Sequence, residues 1–193
     1  ADQATDTPTN NFCTMNPLAY MRASDISTST IIDGAATISS TANNYAQRIG
    51  TIGLNIANGG KWYWEATANT SSDGNNSECL TGLIFENRVN GEGYAAGVVN
   101  GFLLDLDNNT LKWYKNDSLH LTMPDGTSAM PTTGLVFPYG APYGSGFKLF
   151  MNFGGYTAQT VSSGNTDPNG YGNFEFSTKG GYALCTKNLA EFG

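Results

Sequence analysis

The chain has 193 residues, long enough to bury a core without metal or disulfide staples. Only 13% are charged, against about 25% in average globular proteins, and Gly (24 residues), Asn, Ser and Thr take their place. The net charge is −7 and the nine basic residues are scattered, which argues against binding to nucleic-acid phosphates or anionic membranes. No apolar stretch approaches the roughly 20 residues of a membrane span. Ten Tyr, ten Phe and three Trp supply apolar surface that a disordered chain lacks.

Residues 1–11 are polar, carry no signal-peptide core and are expected to form a flexible arm. From Phe12 onward, short apolar runs alternate with Gly/Asn/Ser/Asp clusters, the pattern of a single all-β sandwich domain over residues 12–193. Helical periodicity is nearly absent; residues 41–50 are expected to hold at most one turn.

Strands are expected at 35–39, 60–66, 79–85, 94–99, 101–107, 110–115, 147–153 and 182–186. In the second, Trp62, Trp64 and Ala66 fall on one face and Tyr63 and Glu65 on the other. The strongest hairpin signal is 101–116: Leu104 and Leu106 alternate with Asp105 and Asp107, Asn108 and Asn109 turn the chain, and Leu111 and Trp113 alternate back. Residues 154–176 are rich in Gly, Asn and Ser and are expected to form a long loop, often functional or mobile in a compact domain.

Three cysteines, Cys13, Cys79 and Cys185, fit no zinc spacing, and their odd number argues against a full disulfide framework. The segment 13-CTMNPL-18 echoes 185-CTKNL-189, which suggests that the two ends lie side by side. Buried free thiols and a Cys13–Cys185 bridge are both open readings.

Catalytic constellations are weak. The single histidine, His120, reads as an ordinary loop residue, and there is no Gly-x-Ser-x-Gly elbow, so a hydrolase triad is not expected. Asp105, Asp107 and Asn109 match positions 1, 3 and 5 of a calcium loop, but Thr110 and Asn116 replace its Gly and Glu, leaving them weak metal candidates. Glu65, Glu78 and Glu86 are glycosidase candidates by position only; for Glu65 a hydrogen-bonded structural role is the competing reading. No cofactor is expected.

The binding candidates lie elsewhere. In 134-GLVFPYGAPYGSG-146 Gly and Pro predict a loop, and Phe137, Tyr139 and Tyr143 are either exposed contact rings or rings folded back over the sandwich end. The segment 69-NTSSDGNNSE-78, with Asn75 and Asn76, is a second candidate rim. Asn69, Asn75, Asn108 and Asn116 each begin an N-x-S/T sequon, a pattern that arises readily by chance in such a composition.

Five motifs occur in an order that resembles the SPRY (B30.2-like) domain: residues 60–65 (GKWYWE), 80–84 (LTGLI), the 104–116 hairpin, 135–138 (LVFP) and 150–154 (FMNFG). The resemblance spans about residues 45–155 and departs at Asn116–Asp117, where Asn-Gly is usual. It implies an antiparallel β-sandwich of concanavalin-like jelly-roll form and a non-enzymatic binding role. The flanks, Phe-Cys-Thr-x-Asn-Pro at 12–17 and Tyr-Ala-Leu-Cys-Thr-Lys-Asn-Leu at 182–189, resemble SPRY-like segments of bacteriophage tail fibres and appendages. That implies a place on the virion, repeated or homo-oligomeric, with neighbouring virion proteins or a host receptor or glycan as partners. The alternatives are a cellular peptide-binding SPRY adaptor and a carbohydrate-binding lectin or glycan-active enzyme.

Overall fold

The computed structural model describes residues 7, 9–20, 28–43, 45, 47–69, 79–84, 88–90, 96–126 and 129–193. Among them, two sheets face each other. One runs β1 (Met15–Tyr20), β4 (Arg48–Gly50), β12 (Leu135–Pro142), β7 (Cys79–Ile84), β8 (Arg88–Asn90), with β5 (Leu54–Asn55) also on β12. The other runs β11 (Ser118–Met123), β10 (Thr110–Lys115), β9 (Val99–Asp105), β6 (Lys61–Ala68), β13 (Lys148–Asn152), β3 (Thr37–Ser40), β2 (Ser29–Ile32). All these pairings are antiparallel; β14 (Tyr182–Ala183) alone runs parallel, along β6. A short helix, α1 (Thr186–Phe192), follows it. No helix among the described residues is long and apolar enough to cross a membrane.

The period-2 pattern sets the core. Trp62, Trp64, Ala66 and Ala68 of β6 point between the sheets with Phe102, Leu104, Leu111, Trp113, Leu149 and Met151, and meet Met15, Leu54 and Val136 of the facing sheet. Trp64, Phe102 and Trp113 lie opposite one another on adjacent strands and stack at 5.5 and 5.9 Å between ring centroids. The Trp113 indole N–H donates to the Asn100 side-chain oxygen at 2.9 Å, satisfying both buried groups.

The predicted hairpin is present as β9 and β10, with Asn109 in the left-handed conformation (φ 50°) at the turn. The strand expected at 94–99 differs: Ala96 and Gly97 form a turn and β9 begins at Val99, while residues 94 and 95 lie outside the described set. His120 is not in a loop. It stands in edge strand β11, where a register shift against β10 skips it, and its ring meets Trp113 edge-on at 4.9 Å.

The two ends meet as the sequence echo suggests: the Cys13 N–H donates to the Leu184 carbonyl, the Thr186 N–H to the Asn11 carbonyl, and Phe12 bridges Cys185. Asn10, which falls within the segment expected to be an arm, is buried, and its side chain accepts from the Lys187 N–H.

The Cys13–Cys185 bridge does not form, and strand alternation explains why. Across the paired segments Phe12 faces Cys185 and Cys13 faces Leu184, one residue out of register for a disulfide. Cys13 points into the main core and Cys185 into a second cluster on the opposite face of the large sheet. Both thiols are free and buried, and burial pushes Cys13 up to about 11. Accordingly, native protein treated with iodoacetamide should carry no label at Cys13 or Cys185 in peptide mass spectra, and unfolded protein should carry both. Labelling of native Cys13 would contradict this packing.

Candidate binding surface at one end of the sandwich

The predicted site residues that fall among the described ones have definite places. Residues 135–142 are not a loop; they are β12, paired along Phe137–Pro142 with β7. Pro is tolerated because Pro138 falls in the gap between the β5 pairing at Leu135–Val136 and the β4 pairing at Tyr139–Gly140, and Pro142 lies beyond the latter. Tyr139 is fully buried with Ala141 against Tyr45, Ile49 and Phe137, and is no contact ring. Phe137 is half-buried and packs on the backbone of Gly53. Tyr143 is half-buried against Tyr45, centroids 4.8 Å apart. These rings take the folded-back arrangement. Asn75, Asn76, Glu78 and Glu86 lie outside the described residues.

The weak metal candidates have structural partners instead. The Asp105 carboxylate caps the turn, accepting from the Asn108 N–H at 3.0 Å and side-chain amide at 2.9 Å, and pairs with Lys61 at 3.2 Å. Burial raises this carboxyl, but the bonds from Asn108 and Lys61 outweigh it and hold it below the usual range. Asp107 accepts from the Gly60 N–H at 2.9 Å. Asn109 belongs to the turn. No group of three His, Cys, Asp or Glu side chains among the described residues is arranged to hold a metal ion.

Glu65, also read as a catalytic candidate, is fully buried on the outer face of the large sheet and accepts five hydrogen bonds. They come from the Phe176 and Glu175 N–H groups at 2.9 and 3.0 Å and from the Tyr63, Asn152 and Gln159 side chains at 3.2, 3.2 and 3.3 Å. It sits where β13 leaves the β6 edge, with β14 taking that edge two residues away. Burial raises its carboxyl above the ordinary value, opposed by those bonds. A second buried carboxylate, Asp167, accepts from the N–H groups of Asn169, Tyr171 and Ala183 and from the Asn188 side chain. The stretch 154–181 is thus irregular but pinned, at these carboxylates among other points, and its Phe174 covers Tyr63 at 5.2 Å in the outer cluster.

Among the described residues, an open groove of about 560 Å³ lies at the sandwich end where β6 begins and the β9–β10 turn lies. Its walls come from segments far apart in the chain. The turn Ile56–Asn58 is capped by the Asn55 side chain. Gly59 and Gly60 then take left-handed conformations (φ 73° and 89°) that steer the chain into β6. Asp107 locks that step through the Gly60 N–H. On the other side α1 delivers Glu191 and Phe192, whose ring stacks on Tyr182 at 4.0 Å and 16°. Lys61 and Gly180 complete the lining, and a smaller cavity of about 200 Å³ shares Asn58 and Gly193 with it. A groove of this size, part aromatic and part polar, suits binding. Sequence spacing had no means of assembling it: its lining runs from Asn58 to Gly193, and its helix carries only the faint signal of Leu189 and Phe192 three apart.

The fold is the SPRY sandwich. The structure matches the PSpry domain of TRIM65 with a TM-score of 0.50 at 12% identity, over 73% of this chain and 92% of that domain. It matches the SPRY domain of human HERC1 with a TM-score of 0.48 at 12% identity, over 64% and 91% respectively. No family profile and no curated protein sequence matches the chain.

Proposed function

We propose that this chain is a non-catalytic binding module of the SPRY type, carried in many copies on a virus particle and contacting its partner through the groove at the β6 end of the sandwich. The observation that carries the reading is the disposition of polar groups. Glu65 and Asp167 are consumed in holding the fold, whereas Asp107, Glu191 and Lys61 line an open groove beside an aromatic pair. Carboxylates locked into the fold build a platform, and the groove offers recognition without chemistry. The flank resemblance at 12–17 and 182–189 supports the virion setting, and repetition on a particle gives weak single contacts avidity.

Cryo-electron microscopy of particles from an infected culture tests this directly. The expected result is a repeated density matching this sandwich, with Asn58, Glu191 and Phe192 at a subunit contact or distal tip. A chain absent from particles, and monomeric in the lysate, would sink the virion reading.

A further inference from the structure

The groove's own chemistry narrows its ligand, on the premise just stated that it is a binding surface. We propose that it receives an arginine side chain from an extended basic segment of a partner protein. Three observations converge. Asp107 and Glu191 each spend one oxygen on the fold, on the Gly60 N–H at 2.9 Å and the Asn169 side chain at 3.2 Å. Their second oxygens have no donor among the described residues. Lys61, the cation in the lining, is offset by Asp105 at 3.2 Å, so the groove stays net negative. The Phe192 ring, stacked on Tyr182 and partly open, supplies a flat π surface.

Carboxylate oxygens beside an aromatic face match the guanidinium, which is planar, donates along its edge and stacks on its face. A phosphate or acidic glycan meets repulsion here instead. At Gly180, whose Cβ would meet nothing within 4 Å, the wall is bare backbone and leaves room for the incoming chain to lie close. The overall charge of −7 steers a basic segment toward the protein at low salt. A neutral saccharide could use the same ring but gains nothing from the uncompensated charge.

The test is an amide-resolved NMR titration of the full chain with three probes: a capped Gly-Arg-Gly-Arg-Gly peptide, its Gly-Gln-Gly-Gln-Gly counterpart and a neutral maltose oligomer. The arginine peptide should shift the Gly60, Gly180, Phe192 and Gly193 amides and weaken with added salt. Glu191→Gln and Asp107→Asn should each weaken it by about two- to fivefold. The asparagine of the second variant still offers an oxygen to the Gly60 N–H, so the melting temperature should be unchanged. Equal binding of the glutamine peptide, shifts from the saccharide alone, or silence of the groove amides overturns the proposal. If the arginine peptide is silent while Phe192→Ala removes the chain from particles, the ligand class fails and the binding surface stands.

Discussion

Glu65→Ala should lower stability by about 3–5 kcal/mol, the range for breaking a buried charged network by removing one partner. For a chain of this size that is roughly 10 °C in Tm. The alanine deletes the acceptor of five donors, and two of them, the Glu175 and Phe176 N–H groups, are backbone and cannot turn away. Glu65→Gln should cost less, about 1–3 kcal/mol. With its NH₂ in place of Oε1 it opposes the Phe176 N–H, but the Tyr63 hydroxyl can reverse and accept. The pH dependence separates this charge effect from shape. The folded carboxyl is raised above 4.5, so the folded state holds its proton more tightly than the unfolded chain. Its contribution is fully present below 4.5 and declines as pH rises through the folded value. Asp105 and Glu175 are lowered and act in the opposite sense, their contributions fading as pH falls. Urea unfolding of wild type and Glu65→Gln across acid pH isolates the Glu65 part in the difference. A difference that does not change with pH would show that Glu65 does not titrate on unfolding.

The sandwich was legible where side chains obey period 2. Trp62, Trp64 and Ala66 alternate with Tyr63 and Glu65 in the sequence as they do across β6, and the turn at Asn108–Asn109 needs the conformation that Asn tolerates. Expectations failed where an element is defined by partners distant in sequence. The stretch 154–181 is irregular, as its composition implies, but its anchoring through Glu65, Asp167 and Asn152 could not be read from it. Cys13 and Cys185 sit on neighbouring segments as their echo suggests, yet a disulfide depends on a register that local sequence does not encode. The groove was least legible, because its wall residues become neighbours only after β14 settles parallel to β6 and carries α1 across the sandwich end.

Strand β12 was hidden for a different reason, and Gly140→Val tests it. Glycine in a strand interior weakens it unless another group needs the space. At Gly140 a Cβ would stand 2.6 Å from Leu149 Cδ2 and 2.7 Å from Ile38 Cδ1, both on the facing sheet. The residue is small because the two sheets approach closely over it, so a turn-like composition is in fact a packing solution. Valine forces those side chains off their rotamers or the sheets apart, an overpacking cost of about 1–3 kcal/mol. The strain has a named source and should therefore be relieved by removing it. Leu149→Ala alone should cost about 2–5 kcal/mol through its cavity. Combined with Gly140→Val it should cost less than the sum of the two, because the valine methyls enter the vacated space. A double-mutant cycle in urea reads this coupling directly. Additive losses would mean that Gly140 is required for the backbone of β12 rather than for the approach of the sheets, and the Gly/Pro content of residues 134–146 would need another cause.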